Sequence, residues 1–81
     1  MATIPQGERN AAIDALMRVV GEDAYEGGRL INYLNTAFPG FTWMSILRTR
    51  SANWAPYISS GLSITAWCNE VERQAAIFAN Q

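Results

Sequence analysis

The most constraining feature of the sequence is an amphipathic stripe over residues 63–78. Apolar side chains recur there at spacings of three and four residues: Ile64, Trp67, Cys68, Val71, Ala75 and Phe78. This spacing gathers them on one face of an α-helix, and Ser63 just before them is a good N-cap. Glu70 and Glu72 lie off the stripe and should face water or a partner. The stripe predicts a long final helix with one buried face.

A first helix is indicated near the other end of the chain. Thr3 and Gln6 have capping-box spacing, and Pro5 falls in the first turn, where its missing N–H does no harm. The apolar residues that follow share one helical face: Ala12, Ile13, Leu16, Met17 and Val20. Gly21 is expected to end this helix.

A second helix should follow at once. Asp23 is the predicted N-cap, with Glu26 three residues later. Its apolar stripe is Leu30, Ile31, Leu34, Ala37 and Phe38, and Pro39 and Gly40 should end it. Gly27 and Gly28 allow two interpretations. Either they lie inside the helix, because a neighbouring helix approaches closely there, or residues 22–28 form a loop and the helix starts after them.

The segment from Thr42 to Ser60 also leaves two interpretations open. In the first, Thr42 caps a third helix that runs to about Ser51, since Pro56 prevents a clean continuation. A break near residue 52 would follow, and Asn53 would cap a short fourth helix ending at Gly61. In the second, residues 42–60 form one kinked helix.

Fold class and domain number follow from these patterns. No alternation typical of a strand lasts more than four positions, and no internal repeat is present. The chain has 81 residues, which is enough for one domain and too few for two. We therefore expect residues 1–81 to form a single all-α domain, a compact bundle of four to five short helices.

Several functional classes lack the residues that they need. The chain has no histidine and one cysteine, so zinc sites and histidine-based catalysis are not expected. Glu22, Asp23 and Glu26 are explained by capping a helix start, and Cys68 lies on an apolar stripe that suits an inert thiol. We expect no enzyme activity, no cofactor and no metal. No apolar run is long enough for a membrane span and no leader is recognisable, which indicates a cytoplasmic protein without a membrane partner.

Aromatic and arginine residues are the best candidates for binding. Six of the nine aromatic residues lie between positions 38 and 67, and a bundle of this size is expected to bury about two tryptophans. Trp67 is assigned to the core, so Trp43 and Trp54 become candidates for exposed contacts. The predicted protein-binding residues are Phe41, Trp43, Arg48, Arg50, Trp54 and Tyr57. Arg48 and Arg50 would alternatively offset the negative end of a helix dipole.

The leading functional hypothesis is a small protein-interaction module that docks on a larger protein through residues 41–57. Charged residues make up only 16% of the chain, which suits a partner surface. Such a module would be an adaptor, an inhibitor or an assembly subunit, and by analogy alone short chains of this kind occur among phage and plasmid inhibitors of host machinery.

Two alternatives belong to other classes. A helix-turn-helix DNA-binding protein would present Thr42, Ser45, Arg48 and Thr49 to the major groove. The net charge of −1 argues against a nucleic-acid partner, because DNA binding is driven by many neutralised phosphates. A self-assembling subunit would form a homo-oligomer by pairing the stripe of the final helix with its copies.

Overall fold

The structure, a computed structural model, describes residues 5–21 and 23–81. Five α-helices follow one another: α1 (Gln6–Val20), α2 (Ala24–Ala37), α3 (Trp43–Thr49), α4 (Ser51–Trp54) and α5 (Ile64–Ala79), with a 3₁₀ turn (Ala55–Tyr57) directly after α4. Within these described ranges there is no strand. The predicted all-α bundle of short helices is confirmed.

The ends of the first two helices match the sequence pattern in part. Gly21 ends α1 with a φ of 57°, and its N–H donates to the carbonyl of Met17 at 3.1 Å. Asp23 caps α2, because its side chain accepts the backbone N–H groups of Tyr25 and Glu26 at 3.1 and 3.3 Å. Thr3, the other predicted cap, lies outside the described residues, and α1 begins after Pro5 without a side-chain cap.

Gly27 and Gly28 mark a close approach between α2 and α5. Both are buried inside α2. A Cβ atom on Gly28 would meet the Cβ of Gln74 and come within 2.8 Å of the backbone nitrogen of Ala75 in α5. Only a residue without a side chain lets the two helices lie this close. The interpretation of the pair as a close-contact site is confirmed, and the loop over residues 22–28 is wrong.

The segment between α2 and α5 is divided rather than continuous. Arg50, at φ −90° and ψ 5°, separates α3 from α4, so a single kinked helix over residues 42–60 is wrong. The break falls at Arg50 and not near residue 52. Asn53 is not a cap, because its N–H donates to the carbonyl of Arg50 at 3.0 Å within the turn. Pro56 lies in the 3₁₀ turn, where its ring fits.

All three tryptophans belong to the core, which corrects the expectation that such a bundle buries about two. The buried apolar residues come from every α-helix: Ile13, Met17, Ile31, Leu34, Trp43, Leu47, Trp54, Trp67, Cys68, Val71 and Ala75. The rings of Trp54 and Trp67 pack against each other, with centroids 5.1 Å apart. The stripe of α5 is thus buried within one chain, chiefly against α2, so it is not a free surface for pairing with copies.

Candidate partner-binding surface

Trp43 and Trp54, which the sequence assigned to the binding surface, are sealed in the core at 1% and 0% exposure. The indole Nε1–H of Trp43 donates to the carbonyl of Phe38 at 3.1 Å. The Nε1–H of Trp54 is also buried and has no acceptor among the described residues. Neither ring can touch a second molecule in this fold, so their assignment as exposed contacts is corrected.

Arg48 and Arg50 are held by ion pairs that cross the bundle. Nη2 of Arg48 donates to Glu72 Oε1 at 2.7 Å and to Asn69 Oδ1 at 2.9 Å, which ties α3 to α5. Nη2 of Arg50 donates to Asp14 Oδ2 at 2.6 Å, and this hydrogen bond raises the pKa of Arg50. Both predicted cations are therefore committed to holding α3 in place.

Phe41 and Tyr57 remain at the surface, and each carries an arginine of α1. The guanidinium carbon of Arg9 lies 4.7 Å from the centroid of the half-buried Phe41 ring. The guanidinium carbon of Arg18 lies 5.5 Å from the centroid of Tyr57, whose exposure is 52%. These distances are typical of cation–π contacts. The structure thus joins two predicted aromatic residues to two arginines that the sequence reasoning left out.

The six arginines divide into two groups. Four have a carboxylate within ion-pair distance, at Arg29–Glu26, Arg48–Glu72, Arg50–Asp14 and Arg73–Glu70. In the last of these, the hydrogen bond from Arg73 lowers the pKa of Glu70. Arg9 and Arg18 have no such partner among the described residues. No sequence signal separates the two groups, because Arg48 and Arg50, like Arg9, have no acidic residue three or four positions away.

The described part of the chain contains no cluster of three or more His, Cys, Asp or Glu residues that could hold a metal ion. Cys68 is buried as predicted, and burial raises the pKa of its thiol. None of the described helices combines the length and apolar character needed to cross a bilayer.

The predicted recognition helix of a DNA-binding motif corresponds to α3. It has only seven residues, Trp43 and Leu47 are buried in it, and Arg48 is engaged by Glu72. The helix-turn-helix alternative gains no support from these contacts, since phosphate recognition uses free cations.

Fold and surface together define a small all-α bundle that displays two arginine–aromatic pairs along its first helix. A comparison with models of protein families, with curated proteins and with solved structures finds no match for the chain.

Proposed function

We propose that this protein is a non-enzymatic interaction module that docks on an acidic face of a larger protein, with Tyr57 and Arg18 at the centre of the contact. The main support for this proposal is the exposed Tyr57 ring, whose centroid lies 5.5 Å from the guanidinium carbon of Arg18. Tyrosine and arginine are the residue types most enriched at binding hot spots. By occupying a partner's surface, such a module serves as an adaptor, an inhibitor or a subunit of an assembly.

Charge distinguishes Tyr57 from the other exposed tyrosines. Tyr33 is equally exposed, at 56%, but Arg29 beside it already faces Glu26 at 3.6 Å. Tyr25 makes an edge-to-face contact with Phe78, with centroids 5.0 Å apart. Arg18 has no carboxylate within ion-pair distance among the described residues. An acidic partner would supply one. Charge complementarity of this kind favours encounter and specificity.

The position of Tyr57 in the chain also suits a contact residue. It follows Pro56 in the 3₁₀ turn, directly after the fully buried Trp54. A ring on a short, anchored turn loses little conformational entropy when it binds. Val19, the neighbour of Arg18 in sequence, is 84% exposed and adds apolar surface at the same end of α1. Contact with a partner would remove this surface from water.

Site-specific photo-crosslinking tests the proposal. A photoreactive phenylalanine derivative replaces Tyr57 in one version of the protein and Tyr33 in a matched version, and both are irradiated in cells of the source organism. We expect one discrete adduct from position 57 and none from position 33, with mass spectrometry identifying a larger protein of acidic surface. No adduct from position 57, or the same adducts from both positions, would contradict the proposal.

A further inference from the structure

We propose that the cleft between α1 and α3 is a binding site for a small oxyanion ligand that carries a carboxylate or phosphate group. The cleft has a volume of about 390 Å³, within the range typical of small-molecule sites. Its polar walls are formed by Gln6, Arg9, Asn10, Ser45, Thr49 and Arg50. This site is distinct from the contact at Arg18 and Tyr57, because none of its lining residues belongs to that pair.

The lining has the character of an anion site. Two arginines, two amides and two hydroxyl groups line it, and it includes no carboxylate. Asp14 lies outside the lining, and its two oxygens accept hydrogen bonds from Nε and Nη2 of Arg50 at 3.4 and 2.6 Å. Asp14 thereby cancels one positive charge, and the charge of Arg9 remains. The cleft is rich in donors and carries a net positive charge.

Arg9 is the residue that most needs a partner. Its Nε atom is buried and has no hydrogen-bond acceptor among the described residues. A buried donor on a charged group is costly when it is left unpaired. Its guanidinium carbon lies 4.7 Å from the centroid of Phe41, so the guanidinium packs over that ring. A planar carboxylate or a phosphate fits the fork of a guanidinium with two parallel hydrogen bonds.

Arg50 is the second fixed cation of the cleft. Asp14 engages its Nε and Nη2 atoms, so the Nη1 donors have no described partner. The hydroxyl of Thr49 donates to the carbonyl of Ser45 at 2.9 Å, whereas the Ser45 side chain has no described hydrogen bond. An oxyanion between Arg9 and Arg50 would therefore meet one guanidinium that Asp14 already orients, which lowers the entropic cost of binding.

Isothermal titration calorimetry tests the site with two probes, citrate and inorganic phosphate, at constant ionic strength set by chloride. We expect saturable binding of at least one probe, and the tighter one tells whether the site prefers carboxylate or phosphate. Arg9→Gln should weaken that binding by about tenfold or more, since it removes a charged hydrogen-bond donor. Arg29→Gln is the matched control, because Arg29 is an exposed helical arginine outside the cleft, and it should bind like the wild type.

Three results would overturn the proposal: no saturable heat with either probe, wild-type affinity in Arg9→Gln, or an equal loss in Arg29→Gln. Circular dichroism checks that each variant is folded. If Arg9→Gln does not fold, Arg9→Lys decides, because it keeps the positive charge and loses the planar fork. Weakened binding in the folded Arg9→Lys variant supports the site, and unchanged binding in it overturns the site.

Discussion

The interface between α2 and α5 and the segment from α3 to the 3₁₀ turn hold the same small bundle together by different means. At the interface, Gly27 and Gly28 let the backbones approach until ordinary side chains would overlap. The segment is held by the buried rings of Trp43 and Trp54 and by arginines that reach α1 and α5.

This difference indicates which part of a small helical protein can form a binding surface. Close backbone contact leaves no groove between helices, and the α2–α5 interface is filled by the apolar stripe of α5. Between α1 and α3, by contrast, a cleft of about 390 Å³ is lined by arginine, amide and hydroxyl groups. Both the proposed docking contact and the proposed anion cleft lie on this second side, between α1 and the segment.

The largest expected effect is that of Trp54→Ala. Because the ring is fully buried against Trp67, its removal should cost about 3–5 kcal/mol of unfolding free energy. Urea denaturation followed by circular dichroism measures the loss. Trp54→Phe is the control and should lose less, since it keeps an aromatic ring and removes the indole N–H that has no described acceptor. Wild-type stability in Trp54→Ala would show that the segment is not anchored by this ring.

A smaller loss is expected at the opposite interface from Gly28→Ala. Alanine is the better helix former, yet its Cβ would lie 2.8 Å from the backbone nitrogen of Ala75, which cannot move aside alone. We expect a net loss of about 2 kcal/mol by the same denaturation measurement.

Gly7→Ala provides the matched control for this substitution. Gly7 is also helical, and a Cβ there would meet nothing within 4 Å, so alanine should stabilise by up to about 1 kcal/mol. If both substitutions stabilised the protein, the helices would not be in close contact at Gly28, and the contrast between the two regions would be lost.

The sequence predicted those parts of the fold that local patterns determine. The apolar spacing of α5, the caps Asp23 and Ser63 and the stop at Gly21 all depend on residues within one or two turns of each other. Such signals can be recognised in the sequence without knowledge of the fold. The buried positions of Trp67 and Cys68 followed from the same periodicity.

The candidate site could not be predicted in the same way, because its contacts join distant residues. Arg50 and Asp14 are 36 positions apart, and Arg48 and Glu72 are 24 apart. Nothing local indicates that these two arginines have carboxylate partners, whereas Arg9 and Arg18 have none among the described residues. The burial of Trp43 and Trp54 was missed for a related reason, since a short, interrupted helix carries too few residues to show which face turns inward.

Charge reversal at Arg18 tests most directly whether the protein binds its partner through the surface at Arg18 and Tyr57 and not through α2. The protein with the photoreactive probe at position 57 is given a second substitution, Arg18→Glu. The matched control carries Arg29→Glu on the α2 surface instead, and the yield of adduct is measured for both. Each substitution replaces a positive charge with a negative one at an exposed position of a helix. We expect Arg18→Glu to abolish the adduct and Arg29→Glu to leave it at the wild-type level. An unchanged yield in Arg18→Glu, or an equal loss in Arg29→Glu, would contradict this expectation.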